Sequence, residues 1–141
     1  MNYRRLIAWV IRAVGTVELF AVGAVVMPAE QMRAYYELLG RGEMPPGPVF
    51  ESVMRQVSFT YFLHGIGMWL IASDVVRYLP FVWLTAAGYL VAGPTFIAVD
   101  LCAGMPAFYV ASNGGSCLLI GGLLVALLLA ERAAGRSWIG R

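Results

Sequence analysis

Charged residues are scarce in this 141-residue sequence, and lysine is absent: all ten basic residues are arginine. Only 13% of the residues are charged, whereas 60% are hydrophobic. A soluble domain of this size needs more charged side chains to cover its surface, so the composition excludes an ordinary soluble protein and indicates a membrane protein. The net charge of +2 is small and spread along the chain, which argues against a nucleic-acid partner.

The residues that most enzymes and cofactor proteins require are also few. His64 is the only histidine, so one copy of the chain cannot supply a bis-histidine haem site or a histidine pair at metal-binding spacing. The sequence contains no Cys-x-x-Cys motif, no nucleotide-binding glycine loop and no assembled hydrolase triad. We therefore expect no intrinsic cofactor, no metal site, no catalytic residues and no self-contained catalysis.

Four hydrophobic runs are long enough to cross a bilayer, which takes about 20 mostly apolar residues. Pro28 stops the first run, and Pro48 suits the first turn of the second helix, which then projects beyond the bilayer by about two turns. The sequence thus predicts a single membrane domain, residues 1–141, that is an all-α integral membrane four-helix bundle. The predicted spans are residues 6–27, 57–76, 80–103 and 116–130.

The segment between the first two spans predicts a short amphipathic helix over residues 29–39. Its apolar residues include Met32, Tyr35 and Leu39 at helical spacing, which is typical of a helix lying on a membrane surface. Gly40 and Gly42 end the helix, and the sequence MPPGP that follows forms a rigid turn.

Arginine counts near the span ends predict the orientation of the chain. In a four-span topology, six arginines lie on the side of the two termini and three lie on the opposite side. Positively charged residues favour the cytoplasmic side, so both termini are predicted to be cytoplasmic. The six are Arg4, Arg5, Arg77, Arg132, Arg136 and Arg141, and the three are Arg33, Arg41 and Arg55.

Charged residues within the spans fall at matching depths when each residue advances the helix by 1.5 Å. Arg12 and Asp74 lie roughly 9 and 5 Å from the cytoplasmic boundary, and Arg55 and Asp100 both lie near the outer boundary. An unpaired charge in hydrocarbon costs at least ~2.5 kcal/mol. We therefore predict that Arg12 faces the bundle interior within reach of Asp74 or Glu18, and that Arg55 meets Asp100 or Glu51. Such pairs can serve helix packing alone or form part of a site.

Glu18 and His64 lie deepest, at roughly 18 and 20 Å, so they can meet near the middle of the membrane. An ionisable group at this depth is a candidate for proton handling or ligand binding, although a contact that only holds the fold is the alternative. Together with Arg55, Tyr61 and Asp100 they could line a pocket that opens toward the outer leaflet. The competing interpretation is ordinary helix packing.

The two cysteines flank the connection between the third and fourth predicted spans. Cys102 ends the third span and Cys117 begins the fourth, so both are expected near the outer face. An oxidising compartment would allow a disulfide between them. The alternative is two ordinary buried thiols.

The first span carries an arginine, a Gly-x-x-Glu motif and an apolar stretch closed by proline. These residues are Arg12, Gly15, Glu18 and Pro28, and their pattern resembles the DoxX-like group of small four-span bacterial membrane proteins. The resemblance implies a bacterial inner membrane protein. Some relatives are linked to thiosulfate oxidation with quinone as acceptor, so the resemblance also implies an accessory subunit on the quinone side of a complex. The long first loop and the segment SFTYFLHGIGMWLIASDVVRYLP depart from that family.

The leading function predicted from these features is a non-catalytic accessory or scaffold subunit of a bacterial inner-membrane complex, near a quinone or electron-transfer site. One alternative is a small proton-coupled transporter using Glu18, because small multidrug transporters also have four spans and a glutamate in the first span. The other is a membrane enzyme acting on a lipid or quinone headgroup. The expected partners are membrane lipids and other membrane subunits or further copies of the chain, with quinone or lipid as the bound molecule.

Overall fold

The computed structural model describes residues 2–38 and 42–134, which form six helices and contain no strand. The predicted all-α class is therefore confirmed for the described part of the chain. The helices are α1 (Tyr3–Leu19), α2 (Val22–Val26), α3 (Ala29–Leu38), α4 (Pro48–Ser73), α5 (Leu79–Cys102) and α6 (Ala107–Ala133).

Three helical stretches have the length and apolar composition of membrane spans. They are Tyr3–Val26, which comprises α1 and α2, and the helices α5 and α6. Helix α4 is long enough at 26 residues, but the described stretches that qualify as spans do not include it. Its polar side chains, among them Gln56, Thr60 and His64, lower its mean hydropathy.

Large apolar side chains cover much of the surface of these three stretches. Phe20, Val26, Val91 and Leu119 are between 69% and 79% exposed. Soluble monomers rarely expose large contiguous apolar patches, whereas the hydrocarbon core of a bilayer solvates such side chains without penalty. The exposed residues therefore support the membrane class that the composition indicates.

Several helix boundaries differ from the sequence-based predictions. The first run is broken between Leu19 and Val22, α4 ends at Ser73 rather than at residue 76, and α6 begins nine residues before the predicted start at Ser116. Pro106 has φ −57°, which suits a helix start. Helix α6 therefore includes polar residues near its start, and these residues lowered the hydropathy from which the span was predicted.

The start of α4 at Pro48 and the surface-helix residues 29–38 agree with prediction. The predicted last residue of the surface helix, Leu39, lies outside the described residues, as do Gly40, Arg41 and the predicted cytoplasmic tail with Arg136 and Arg141.

The chain divides into two units. Unit 1 contains residues 1–12 and 70–141, and unit 2 contains residues 13–69. Helices α1 and α4 each contribute to both units, because the division falls within them.

Within unit 1, a tight turn and small residues bring α5 and α6 together as a hairpin. Gly104 has φ +69°, and the amide of Met105 donates to the carbonyl of Asp100, which is a Schellman motif that ends α5. A Cβ at Gly114 would lie 2.4 Å from Ile97 Cγ1, and one at Gly93 would lie 2.6 Å from Leu118 Cγ. Only glycine permits this separation of the two helices.

The buried side chains of unit 1 come from both segments that form it. Ile7 and Ile11 of α1, Val82 of α5, and Leu124 and Leu128 of α6 are all fully or almost fully buried. Between membrane helices such side chains contribute through close van der Waals packing, because lipid chains are as apolar as they are.

Candidate functional site

Two glycines of unit 2 set the closest approach of α1 and α4. A Cβ at Gly65 would lie 2.8 Å from the carbonyl oxygen of Gly15, and a Cβ at Gly15 would lie 2.8 Å from Met68 Cβ. Any side chain at either position would push the backbones apart. The glycines therefore decide which neighbouring side chains meet, and the residue three positions after Gly15 is Glu18.

The structure places Glu18 and His64 in direct contact, as their similar predicted depths in the membrane suggested. His64 Nδ1 lies 2.7 Å from Glu18 Oε2. The side chain of Glu18 is only 11% exposed, whereas that of His64 is 50% exposed. An ionised carboxylate can only accept a hydrogen bond, so with Glu18 in that form Nδ1 is the donor.

A second polar contact accompanies this pair on the same two helices. Trp69 Nε1 donates to Thr16 Oγ1 over 3.2 Å. Tyr61, another candidate from the sequence, lies three residues before His64 on α4 and is exposed. Unit 2 thus carries a group of polar side chains on helices that are otherwise mainly apolar.

Helix α1 ends immediately after Glu18. The amides of Phe20 and Ala21 donate to the carbonyls of Val17 and Glu18, three residues earlier in each case, which tightens the last turn and separates α1 from α2. A carboxylate in the last turn of a helix lies at the negative end of the helix dipole, where a negative charge is disfavoured. The imidazole beside Glu18 compensates for this unfavourable position when it is protonated.

Arg55 does not pair with Glu51, so this part of the prediction was wrong. Its Nη2 donates to the carbonyl of Met27 over 2.8 Å, and its Nη1 donates to the carbonyl of Val25. Helix α2 ends at Val26, and its last carbonyls have no partner within the helix, so the guanidinium satisfies them.

The other proposed partners of Arg55 bind different groups. Glu51 accepts from Arg33 over 3.3 Å within unit 2. Asp100, in unit 1, is buried and accepts from the amide of Asn113 over 2.9 Å, a bond that links α5 to α6. Asp100 therefore stabilises the α5–α6 hairpin.

The ion pair between Arg12 and Asp74, one of the two predicted for Arg12, is not formed. Arg12 Nη2 donates to the carbonyl of Ala72 over 3.3 Å, near the end of α4. Because α4 stops at Ser73, Asp74 begins a turn, and its carboxylate accepts from the backbone amide of Arg77 over 3.0 Å. Both side chains nevertheless line the same cleft of unit 1.

The sequence analysis missed an ion pair in unit 1 whose carboxylate is fully buried. Arg4 Nε lies 2.6 Å from Glu131 Oε1, and the side chain of Glu131 has no exposed surface. The signal was the spacing of α6, where the buried residues recur at steps of three and four. They are Val110, Gly114, Cys117, Gly121, Leu124, Leu128 and Glu131.

The structure holds both cysteines as thiols, so the disulfide considered for Cys102 and Cys117 is not formed. The early start of α6 explains this. Cys117 lies ten residues into the helix, roughly 15 Å along its axis from Ala107, whereas Cys102 is the last residue of α5. A disulfide requires Cα atoms within about 7 Å.

Within residues 2–38 and 42–134, no three histidine, cysteine, aspartate or glutamate side chains are grouped closely enough to hold a metal ion. No family model matches the chain. No curated protein and no solved structure matches it either. The contact between Glu18 and His64 is therefore the main structural guide to function.

Proposed function

We propose that this chain is a non-catalytic accessory subunit of a bacterial inner-membrane complex, with four spans and both termini in the cytoplasm. Helix α4 is the fourth span in this proposal, because its 26 residues extend about 39 Å and the hydrocarbon core measures about 30 Å. The six-to-three arginine distribution supports the orientation, and the amphipathic helix α3 would then lie on the outer surface.

The observation that carries the proposal is the half-exposed imidazole of His64, held at Nδ1 by Glu18. Its Nε2 forms no hydrogen bond with the residues that the structure describes. Lipid chains cannot satisfy a polar nitrogen, and leaving it unsatisfied is costly within a membrane. We infer that a polar group beyond the described residues meets this nitrogen.

A quinone headgroup has the chemistry that this nitrogen requires. With Nδ1 bound to Glu18, a neutral His64 accepts at Nε2 from a quinol hydroxyl, and a protonated His64 donates there to a quinone carbonyl. The apolar ring and tail of a quinone suit the surrounding apolar side chains. The DoxX-like pattern of the first span, with quinone chemistry among its relatives, points in the same direction.

Native mass spectrometry of the full chain, extracted in mild detergent, tests the proposal. We expect larger membrane subunits in fixed stoichiometry together with bound quinone. His64→Leu should lose the quinone, whereas Thr95→Val should retain it. Thr95 is a matched control because its exposed hydroxyl donates only to the Val91 carbonyl of its own helix.

Glu18→Gln separates a role in binding from a role in folding. The amide can still accept from Nδ1, so the protein should insert and assemble normally. Loss of the charge should weaken quinone retention about tenfold, since charge-assisted hydrogen bonds are roughly twice as strong as neutral ones. Unchanged retention would show that Glu18 serves only the fold. Transport by the purified chain in liposomes, or quinone turnover by the chain alone, would contradict the non-catalytic role.

A further inference from the structure

One face of α4 in unit 2 repeats with the spacing of a helix–helix contact. Its members alternate at steps of four and three residues, an average period of about 3.5. At about 100° per residue they fall within an arc of about 80°, so they form a row that runs roughly 27 Å along one side of the helix. We call this row the α4 seam, and its residues are Val49, Val53, Gln56, Thr60, Leu63 and Gly67.

The α4 seam is open in the structure. Its three large apolar side chains are between 50% and 75% exposed, and its two polar side chains are also exposed. A Cβ added at Gly67 would meet no atom within 4 Å. Gly65, which touches the backbone of α1, points about 160° away from the centre of the seam. Helix α4 thus packs against α1 with one side and presents the seam on the other.

The polar residues of the seam argue against lipid chains as its cover. Gln56 and Thr60 lie roughly 26 and 20 Å before Ser73 along the axis, so both fall within a hydrocarbon core of about 30 Å that begins at Ser73. Gln56 Nε2 donates to Ser52 Oγ over 3.1 Å, but Gln56 Oε1 accepts no hydrogen bond from the described residues. Lipid chains cannot satisfy this oxygen, so a hydrogen-bonding partner is required.

A second copy of the chain has the chemistry that the seam requires. Copies of one sequence insert with one orientation, so two α4 helices that meet by their seams run parallel and bring identical residues to equal depth. A carboxamide carries a donor and an acceptor with opposite partial charges. Two Gln56 side chains therefore complement each other in charge and exchange N–H···O bonds across a two-fold axis. Gly67 adds no bulk, which lets the two helices approach closely.

We propose that the α4 seam binds the same seam of a second copy of this chain, which forms a parallel two-fold dimer within the membrane. A period of 3.5 residues fits the left-handed crossing of about 20° at which most membrane helices pack. A polar residue at a seam position also fixes which residues of the two helices face each other. The inference rests on the proposed crossing of the membrane by α4 and not on the quinone contact of His64.

Cysteine cross-linking in liposomes that contain only the purified full chain tests the inference. In a Cys102→Ser background, where Cys117 is buried, Leu63→Cys should form a disulfide-linked dimer on oxidation. Ile66→Cys should form about tenfold less, because its side chain points about 100° away from the centre of the seam. The two positions are matched in accessibility, since Leu63 is 51% exposed and Ile66 is 48% exposed.

Energy transfer between labelled copies, measured while the chain is diluted with lipid, gives the affinity of the dimer. Gln56→Leu should weaken the dimer about tenfold, because it removes hydrogen bonds between the helices. Gly67→Leu should weaken it by more than about tenfold, because the added side chain separates the seams. Gly88→Leu, at an equally open glycine of α5, should change the affinity by less than about twofold.

Three results would overturn the inference. Equal cross-linking at positions 63 and 66 would reduce the contacts to random collision. Equal weakening by Gly67→Leu and Gly88→Leu would place the contact between copies outside the α4 seam. A chain that remains monomeric at every ratio of protein to lipid would exclude the dimer, whereas the accessory role is decided separately by the larger subunits that co-purify with the chain.

Discussion

At the residue scale, two arginines bind helix carbonyls where we expected carboxylates. Arg12 donates to the carbonyl of Ala72 near the end of α4, and Arg55 donates to those of Val25 and Met27 at the end of α2. The last carbonyls of a helix have no partner within it and carry about half a negative charge. In an apolar environment they attract a guanidinium as a carboxylate does, although no acidic residue in the sequence marks them.

The carbonyl contacts of Arg55 predict that alanine substitutions at two arginines of unit 2 lower the stability of the protein by different amounts. Arg55→Ala should lower the free energy of unfolding by about 1.5–3 kcal/mol, since it removes hydrogen bonds from a charged donor and leaves α2 carbonyls unsatisfied. Arg33→Ala, which breaks an exposed pair with Glu51, should cost at most about 1 kcal/mol. Chemical denaturation in detergent, followed by tryptophan fluorescence, measures both values. Equal effects would mean that the α2 carbonyls do not depend on Arg55.

At the element scale, glycines decide where the helices approach most closely, and their position in sequence does not reveal which ones do so. Gly65 touches the backbone of α1, but Gly67, on the same helix, has open space around its Cα. Gly114 and Gly115 differ in the same way on α6. Each successive residue is rotated by about 100° around a helix, so the two glycines of each pair point in different directions. Only one glycine of each pair therefore faces the neighbouring helix.

This difference predicts opposite effects for two alanine substitutions in α4. Gly65→Ala should destabilise the protein by about 1–3 kcal/mol, because the new methyl group meets the backbone of Gly15 and Leu19. It should also reduce quinone retention, since α1 carries Glu18. Gly67→Ala should leave stability unchanged or raise it by up to about 1 kcal/mol, as alanine favours the helix. Thermal unfolding of both variants provides the comparison, and a similar loss in both would refute the close packing at Gly65.

At the scale of the whole molecule, the proposed topology gives the two cysteines different accessibility. Three stretches qualify as spans, and in the proposed topology α4 would supply a fourth crossing that places both termini on one side. Cys102 is exposed at the end of α5, and Cys117 is buried within α6. Four crossings with cytoplasmic termini therefore place Cys102 on the periplasmic side.

A membrane-impermeant maleimide should label Cys102 in intact cells, and Cys102→Ser should abolish the labelling because Cys117 is buried. Mass spectrometry of the isolated protein identifies the modified residue. Labelling that occurs only in inverted vesicles would reverse the orientation. Labelling of Cys117 at the same rate as Cys102 would contradict the packing of α6.

The sequence by itself determined the all-α class, the apolar helices and the start of α4 at Pro48, because these depend on local composition and backbone preferences. It also predicted similar depths for Glu18 and His64 from the rise per residue, and the structure brings the two side chains together. Rotation about each helix axis does not follow from that rise.

Only the tertiary structure decided which groups meet. It brought Arg4 to Glu131, turned Arg12 and Arg55 toward helix carbonyls, and left half of the His64 side chain exposed. Each outcome depends on how far the helices are rotated and how closely they approach. Steric contact at glycines such as Gly65 sets that approach, and it involves atoms distant in sequence.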